Sequence, residues 1–203
     1  IVGSDGCTHQ GVFDIAYLRN IPGLTLMAPA STEELQSMLR YALAQDSPVA
    51  IRYPRGDSAL SPAVVAPLEK GKAEILTEGN DLCIFALGSM VEVACNVGEI
   101  LAESGISTRV VNARFASPID EDMLKLSARQ CKGRIVTIED GIIQGGFGEG
   151  CLDILADTDA QLLICGIPGQ FVPHGCRREL LKMLGLDSHQ IAEKIKKKWF
   201  GNQ

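Results

Sequence analysis

Short apolar runs and amphipathic stretches alternate along this chain from end to end. Residues 24–28 and 48–53 read as buried strands. Between them Ser31, with Glu34 three residues on, has the form of a capping box. It predicts a helix to about Ala44 with Leu35, Met38, Leu39 and Ala42 on one face. Residues 12–19 carry a shorter helical stripe, closed by Asn20 and Pro22. Residues 57–70 contain two prolines and show neither period, which predicts a linker. Beyond it, strands are expected over residues 71–76, 81–87, 108–112, 134–138 and 161–167. Helices are expected over residues 91–103, 119–129 with Ser117 as N-cap, 151–156, 179–184 and 188–200. Strands rich in Ile, Val and Leu alternating with helices imply parallel sheets with right-handed crossovers, the α/β class. The expected organisation is the back part of one α/β domain over residues 1–56, a linker over 57–70, and a complete small α/β domain over 71–203. Ile1-Val2-Gly3, without a methionine, reads as the tail of a strand whose earlier part precedes Ile1.

Composition narrows the function classes. Of the 203 residues, 46% are hydrophobic and 22% charged, ordinary values for a globular chain. The net charge of −6 leaves no basic surface for nucleic acid. The lysines from Lys194 to Lys198 read as the solvated face of a terminal helix. No run of 18 apolar residues suggests a membrane span. Seven cysteines, several inside apolar runs, point to reduced thiols and a cytoplasmic setting. A Cys165/His174/Cys176 metal site lacks a fourth ligand nearby. The cluster Gly145-Gly146-Phe147-Gly148-Glu149-Gly150 does not have the G-x-G-x-x-G spacing. Close strand–helix packing accounts for it better than an anion site does.

In open parallel sheets, ligands bind at loops beyond the carboxyl ends of strands. Two such loops carry charge, Ser4–His9 and Pro54–Gly56. The first, Asp5-Gly6-Cys7-Thr8-His9-Gln10-Gly11, resembles the pyrimidine-binding domain of the transketolase superfamily. Gly11-x-Phe13-Asp14 and Arg52-Tyr53-Pro54-Arg55-Gly56 are similar to the 1-deoxy-D-xylulose-5-phosphate synthase family within it. Phe115-x-x-Pro118-Ile119-Asp120, Glu139-Asp140 with Gly145-Gly146-x-Gly148, and Phe171-Val172-Pro173-His174-Gly175 resemble that family's last domain. The resemblance implies a partial pyrimidine-binding-type parallel-sheet domain over residues 1–56 and a complete transketolase C-terminal-like α/β domain over 71–203. It implies a homodimeric transferase that uses thiamine diphosphate and Mg²⁺. Such an enzyme decarboxylates pyruvate and condenses the two-carbon unit with glyceraldehyde 3-phosphate. The product feeds isoprenoid, thiamine and pyridoxal synthesis. No G-D-G…N pattern for a metal–pyrophosphate site occurs, and the activating glutamate is expected before Ile1. The chain alone is therefore expected to be inactive and to bind no cofactor tightly.

Arg55 is the first candidate for the acceptor phosphate, because a guanidinium offers a rigid fork of donors and this one follows a strand. The resemblance places a phosphate-binding arginine at the same position. His9 can donate to a substrate oxygen or move a proton near neutral pH. Asp5 can orient that imidazole, accept from an acceptor hydroxyl, or cap its own loop. The resemblance makes both substrate-contacting positions. Arg52, inside its strand, is expected in a structural ion pair, and Asp14 is expected to cap or pair near the short helix. Two other readings stay open: the C-terminal subunit of a split transketolase, and a non-catalytic dimerisation or regulatory module.

Overall fold

Among the described residues the strands form two small sheets. The computed structural model describes residues 1–56, 60 and 66–201. Of the expected linker 57–70, residues 57–59 and 61–65 lie outside the described residues.

The first part holds α1 (Asp14–Leu18), β1 (Thr25–Met27), α2 (Thr32–Leu43) and β2 (Val49–Ile51). Ser31 opens α2: its hydroxyl accepts from Glu34 N at 3.1 Å. The Glu34 carboxylate reaches back to Ala30 N at 2.7 Å, one residue further than the box predicts. Met38 is fully buried beneath α2, whereas Leu39, expected on the same face, is 49% exposed. β1 and β2 run parallel, Thr25 beside Val49 and Met27 beside Ile51.

The second part holds β3 (Glu74–Thr77), β4 (Leu82–Ala86), α3 (Met90–Ala102), β5 (Thr108–Asn112), β6 (Phe115–Ser117), α4 (Glu121–Gln130), β7 (Arg134–Ile142), α5 (Phe147–Leu155), β8 (Gln161–Ile167), α6 (Arg177–Met183) and α7 (Ser188–Trp199). Its sheet has the order β3-β5-β4-β7-β8. All pairings are parallel except β3 on β5. Every residue of β4 and β5 is buried, as expected of strands covered on both faces. One core lies under α3 and α7, and the other under α1, α4 and α5.

Three expectations need correction. The sheets are not wholly parallel: β3 pairs antiparallel with β5, and β6 leaves the second part and pairs antiparallel with β1, Met27 beside Phe115. Buried Phe115 thereby joins Met27 and Met38 in the core beneath α2, with the Tyr41 ring edge-on at 6.1 Å. Burying a phenyl ring contributes about 1.5–3 kcal/mol, which is enough to draw this short strand across. Ser117 is not the cap of α4, because it lies in β6. Asp120 caps instead, accepting from Met123 N at 3.1 Å. Finally, α5 starts at Phe147 and not at Cys151, so Gly148 and Gly150 lie inside its first turns and Gly146 is its N-cap.

Candidate active site

The loop after Ile1 is held from below. Gln10, 8% exposed, accepts from Val2 N at 2.7 Å and Gly3 N at 3.3 Å. Its amide donates to Pro173 O at 3.0 Å. Gly175 N donates to Gly3 O at 3.2 Å, and the Phe13 and Phe171 rings meet edge-to-face at 5.5 Å. The Gly11-x-Phe13 and Phe171–Gly175 motifs are thus two halves of one support. Turns at Gly3–Gly6 and Gly6–His9 then lift Asp5 and His9 to the exposed surface.

The structure brings Asp5 to Arg55. The two side chains form an ion pair between Oδ2 and Nη1, linking loops 50 residues apart, with the arginine 62% and the aspartate 34% exposed. The aspartate is not against the imidazole. His9 Nδ1 is 3.1 Å from Thr8 Oγ1. A cleft of about 300 Å³ opens beside Arg55, lined also by Ser31, Tyr53, Ser89 and Arg177.

Behind this surface sits an ionic hub. Arg52, 10% exposed, donates from Nη1 to Asp140 Oδ1, from Nη2 to Gly11 O at 3.1 Å and to Asp140 O at 3.4 Å, and from Nε to Asp14 Oδ2 at 3.4 Å. Arg177 Nη2 and Ser89 Oγ reach the other oxygen of Asp140 at 3.2 and 3.3 Å. Burial works to raise the pKa of Asp140, but the charges around it, Arg52 first, hold it well below the usual carboxylate range. Asp14, the first residue of α1, also accepts from Ile15 N at 2.8 Å, so it serves a first-turn amide as well as the ion pair.

The glycine turn carries its own anion. Glu139 accepts from Phe147 N at 3.0 Å and Gly148 N at 2.8 Å, filling the start of α5 with a carboxylate of this chain. Burial, foremost, pushes its pKa up to about 7. Cys165 is buried and Cys176 exposed. Among the described residues no group of three or more His, Cys, Asp or Glu is placed to hold a metal ion. The donor set here therefore does not fit a Mg²⁺–diphosphate site, and no step through the cofactor is assigned to these residues. Among the described residues no helix is long and apolar enough to cross a membrane.

Gln10, Asp140 and Arg177 escaped the sequence reading. Gln10 lies within the Asp5–Gly11 motif, and Asp140 beside Glu139 in the Glu139-Asp140 pair. Arg177 carried no signal.

The chain is similar to known proteins in sequence and fold. Residues 71–191 match the family "Transketolase, C-terminal domain", and residues 1–59 match "Transketolase, pyrimidine binding domain". The chain is 44% identical over 199 residues to a 1-deoxy-D-xylulose-5-phosphate synthase of Clostridium tetani, covering 97% of this chain and 32% of that protein. It is 45% identical over 208 residues to the synthase of Synechococcus elongatus, covering 100% and 32%. The chain thus spans about a third of the length of these curated relatives. Among solved structures, one described as a split gene transketolase, inactive beta4 tetramer, superposes with a TM-score of 0.89 at 27% identity, covering 99% of this chain and 66% of that one. Transketolase of Campylobacter jejuni superposes with a TM-score of 0.77 at 21% identity, covering 97% and 29%, a likeness of fold. With a family match across more than half its length, the chain belongs to the transketolase C-terminal domain family, preceded by part of a transketolase pyrimidine-binding domain.

Proposed function

We propose that this chain is the acceptor-handling portion of a 1-deoxy-D-xylulose-5-phosphate synthase, a transferase of two-carbon units. In this reading pyruvate is the donor and glyceraldehyde 3-phosphate the acceptor. The observation that carries it is the meeting of Asp5 and Arg55 from two loops, with His9 in the same exposed loop as Asp5. Thiamine diphosphate, bound with Mg²⁺ by the rest of the enzyme, supplies the electron sink that lets pyruvate lose carbon dioxide. The same reading carries a homodimer and a cytoplasmic setting. It also divides the chain at residues 1–56, 57–70 and 71–203.

Arg55 binds the acceptor phosphate. An exposed ion pair is worth about 0.2–1 kcal/mol, so a phosphate dianion presented to the guanidinium fork displaces Asp5 readily. The freed Asp5 carboxylate then accepts from a hydroxyl of the acceptor. His9 donates to the acceptor's carbonyl oxygen as negative charge grows there. Orientation by these three groups supplies the acceptor step with proximity.

The test uses the full-length gene product with thiamine diphosphate and Mg²⁺. Carbon dioxide release from pyruvate in the presence of glyceraldehyde 3-phosphate, with no turnover of xylulose 5-phosphate and ribose 5-phosphate, is the expected result. The likeness to a split gene transketolase makes the second donor pair the informative control. Turnover of that pair alone makes the protein a transketolase, and silence with both leaves a non-catalytic module.

A further inference from the structure

Among the described residues the side-chain partner of Arg55 is Asp5, and the arginine is 62% exposed. Its place is therefore inherited from the backbone beneath it. Three residues earlier, Arg52 is anchored with all three nitrogens engaged. One of its acceptors is Gly11 O, two residues beyond His9. The loop that carries His9 is held also by Gln10, whereas the strand end that carries Arg55 leans on this guanidinium.

What holds Arg52 lies in the other sheet. Asp140 is near the end of β7, 88 residues away, and its side chain is 1% exposed. Its Oδ1 and its backbone carbonyl both accept from Arg52. Its Oδ2 accepts from Ser89 and Arg177, which line the cleft beside Arg55. A single buried carboxylate thereby touches the support of Arg55 on one side and the opening beside it on the other.

We propose that Asp140 is a positioning residue for the acceptor phosphate, acting through Arg52 on Arg55. The inference rests on the proposed synthase reading. It assigns the C-terminal domain a part in acceptor recognition, although Asp140 is closed to solvent and meets no substrate.

The experiment compares Asp140→Asn with wild type in the full-length enzyme. Asn keeps one oxygen and the shape but gives up the charge. The KM for glyceraldehyde 3-phosphate is expected to rise about tenfold while that for pyruvate stays within about twofold. With unphosphorylated glyceraldehyde as acceptor, kcat/KM is expected to stay within about twofold of wild type. Adding Asp140→Asn to Arg55→Ala is expected to raise the triose phosphate KM no further, because coupled residues are not additive. Arg52→Lys, which keeps the charge and loses the fork, is expected to repeat the pattern, and it carries the comparison if Asp140→Asn does not fold. Equal losses on both acceptors, additive effects with Arg55→Ala, or an unchanged triose phosphate KM would each overturn the proposal. A wild-type enzyme without synthase turnover overturns the functional reading and this inference together. Wild-type turnover with any of those three results overturns the inference alone.

Discussion

Arg114 donates from Nε to Glu34 Oε1 at 2.8 Å, and both side chains are all but closed to solvent, at 3% and 4% exposure. The pair joins the turn between β5 and β6 to the first turn of α2. Asn112 Nδ2 adds contacts to the two Glu34 oxygens at 3.0 and 3.1 Å. Arg114 also reaches Glu74 at 2.5 Å and the carbonyls of Ala66 and Pro67 at 3.4 Å. Breaking a buried pair by removing one partner costs about 3–5 kcal/mol, because a charge is left uncompensated. Arg114→Met is therefore expected to destabilise the chain by that amount in urea unfolding. The double variant Glu34→Met/Arg114→Met is expected to recover part of the loss. A single-variant loss below about 1 kcal/mol would show that the pair is not what joins the two parts.

The buried Glu139 carboxylate makes stability depend on pH. Its pKa is raised from 4.5 to about 7 in the folded chain. Between those values the folded state keeps a proton that the unfolded state has released. Stability from this group is thus fully present below the unfolded pKa and is lost as pH rises through 7. The shift corresponds to a loss of about 2–3 kcal/mol between pH 5 and pH 8. Glu139→Gln removes the titration at the constant cost of one acceptor to the α5 amides. The difference between the two proteins should move in the variant's favour by that amount over the same pH span. A difference independent of pH would mean that Glu139 stays ionised throughout.

The contrast between Glu139 and Arg52 shows what a sequence can and cannot disclose. Arg52 directly follows the apolar strand β2, and a buried guanidinium must find an acid, so an ion pair was legible. Its partner Asp140, 88 residues on, was not, because nothing local distinguishes it from the acid beside it. The helix start at Ser31 was legible from chemistry confined to four residues. β6 was not: Phe115-Ala116-Ser117 is too short for a period, and its reason for pairing is a core formed by β1 and α2. The glycine cluster correctly pointed to close packing. Its helix begins earlier than expected because Glu139 supplies the capping carboxylate from a neighbouring strand. Arg55, Asp5 and His9 could be singled out in the sequence, but the contact between Asp5 and Arg55 joins two loops and appears only in the fold.

Gly148 tests the packing half of that reading. A Cβ there would lie 2.5 Å from Ile164 Cγ2 and 2.8 Å from Thr137 Oγ1, both on the sheet beneath α5. Neither neighbour is the free end of a flexible chain. Overpacking of this kind costs about 1–3 kcal/mol, so Gly148→Ala is expected to lower the unfolding midpoint accordingly. Gly148→Ala/Ile164→Ala should lose less than the sum of its parts, since the second change opens the space that the first one needs. Additive losses would place the cause in the helix backbone and not in the contact.

The resting contact between Asp5 and Arg55 makes the aspartate a competitor for the site that it serves. Inorganic phosphate should compete with glyceraldehyde 3-phosphate for Arg55. Asp5→Asn removes the ion pair and frees the guanidinium, so phosphate should bind more tightly. An exposed pair of about 0.2–1 kcal/mol corresponds to a gain of about one-and-a-half- to fivefold in its inhibition constant. The same variant should turn over the triose phosphate more slowly, because the neutral amide accepts less well from the acceptor hydroxyl. Arg55→Ala should instead weaken phosphate inhibition and raise the triose phosphate KM together. Opposite movements of inhibition and turnover in Asp5→Asn, set against parallel losses in Arg55→Ala, separate a carboxylate that contacts the acceptor from one that only tethers the arginine. A faster enzyme in Asp5→Asn would show that the tether was its whole role.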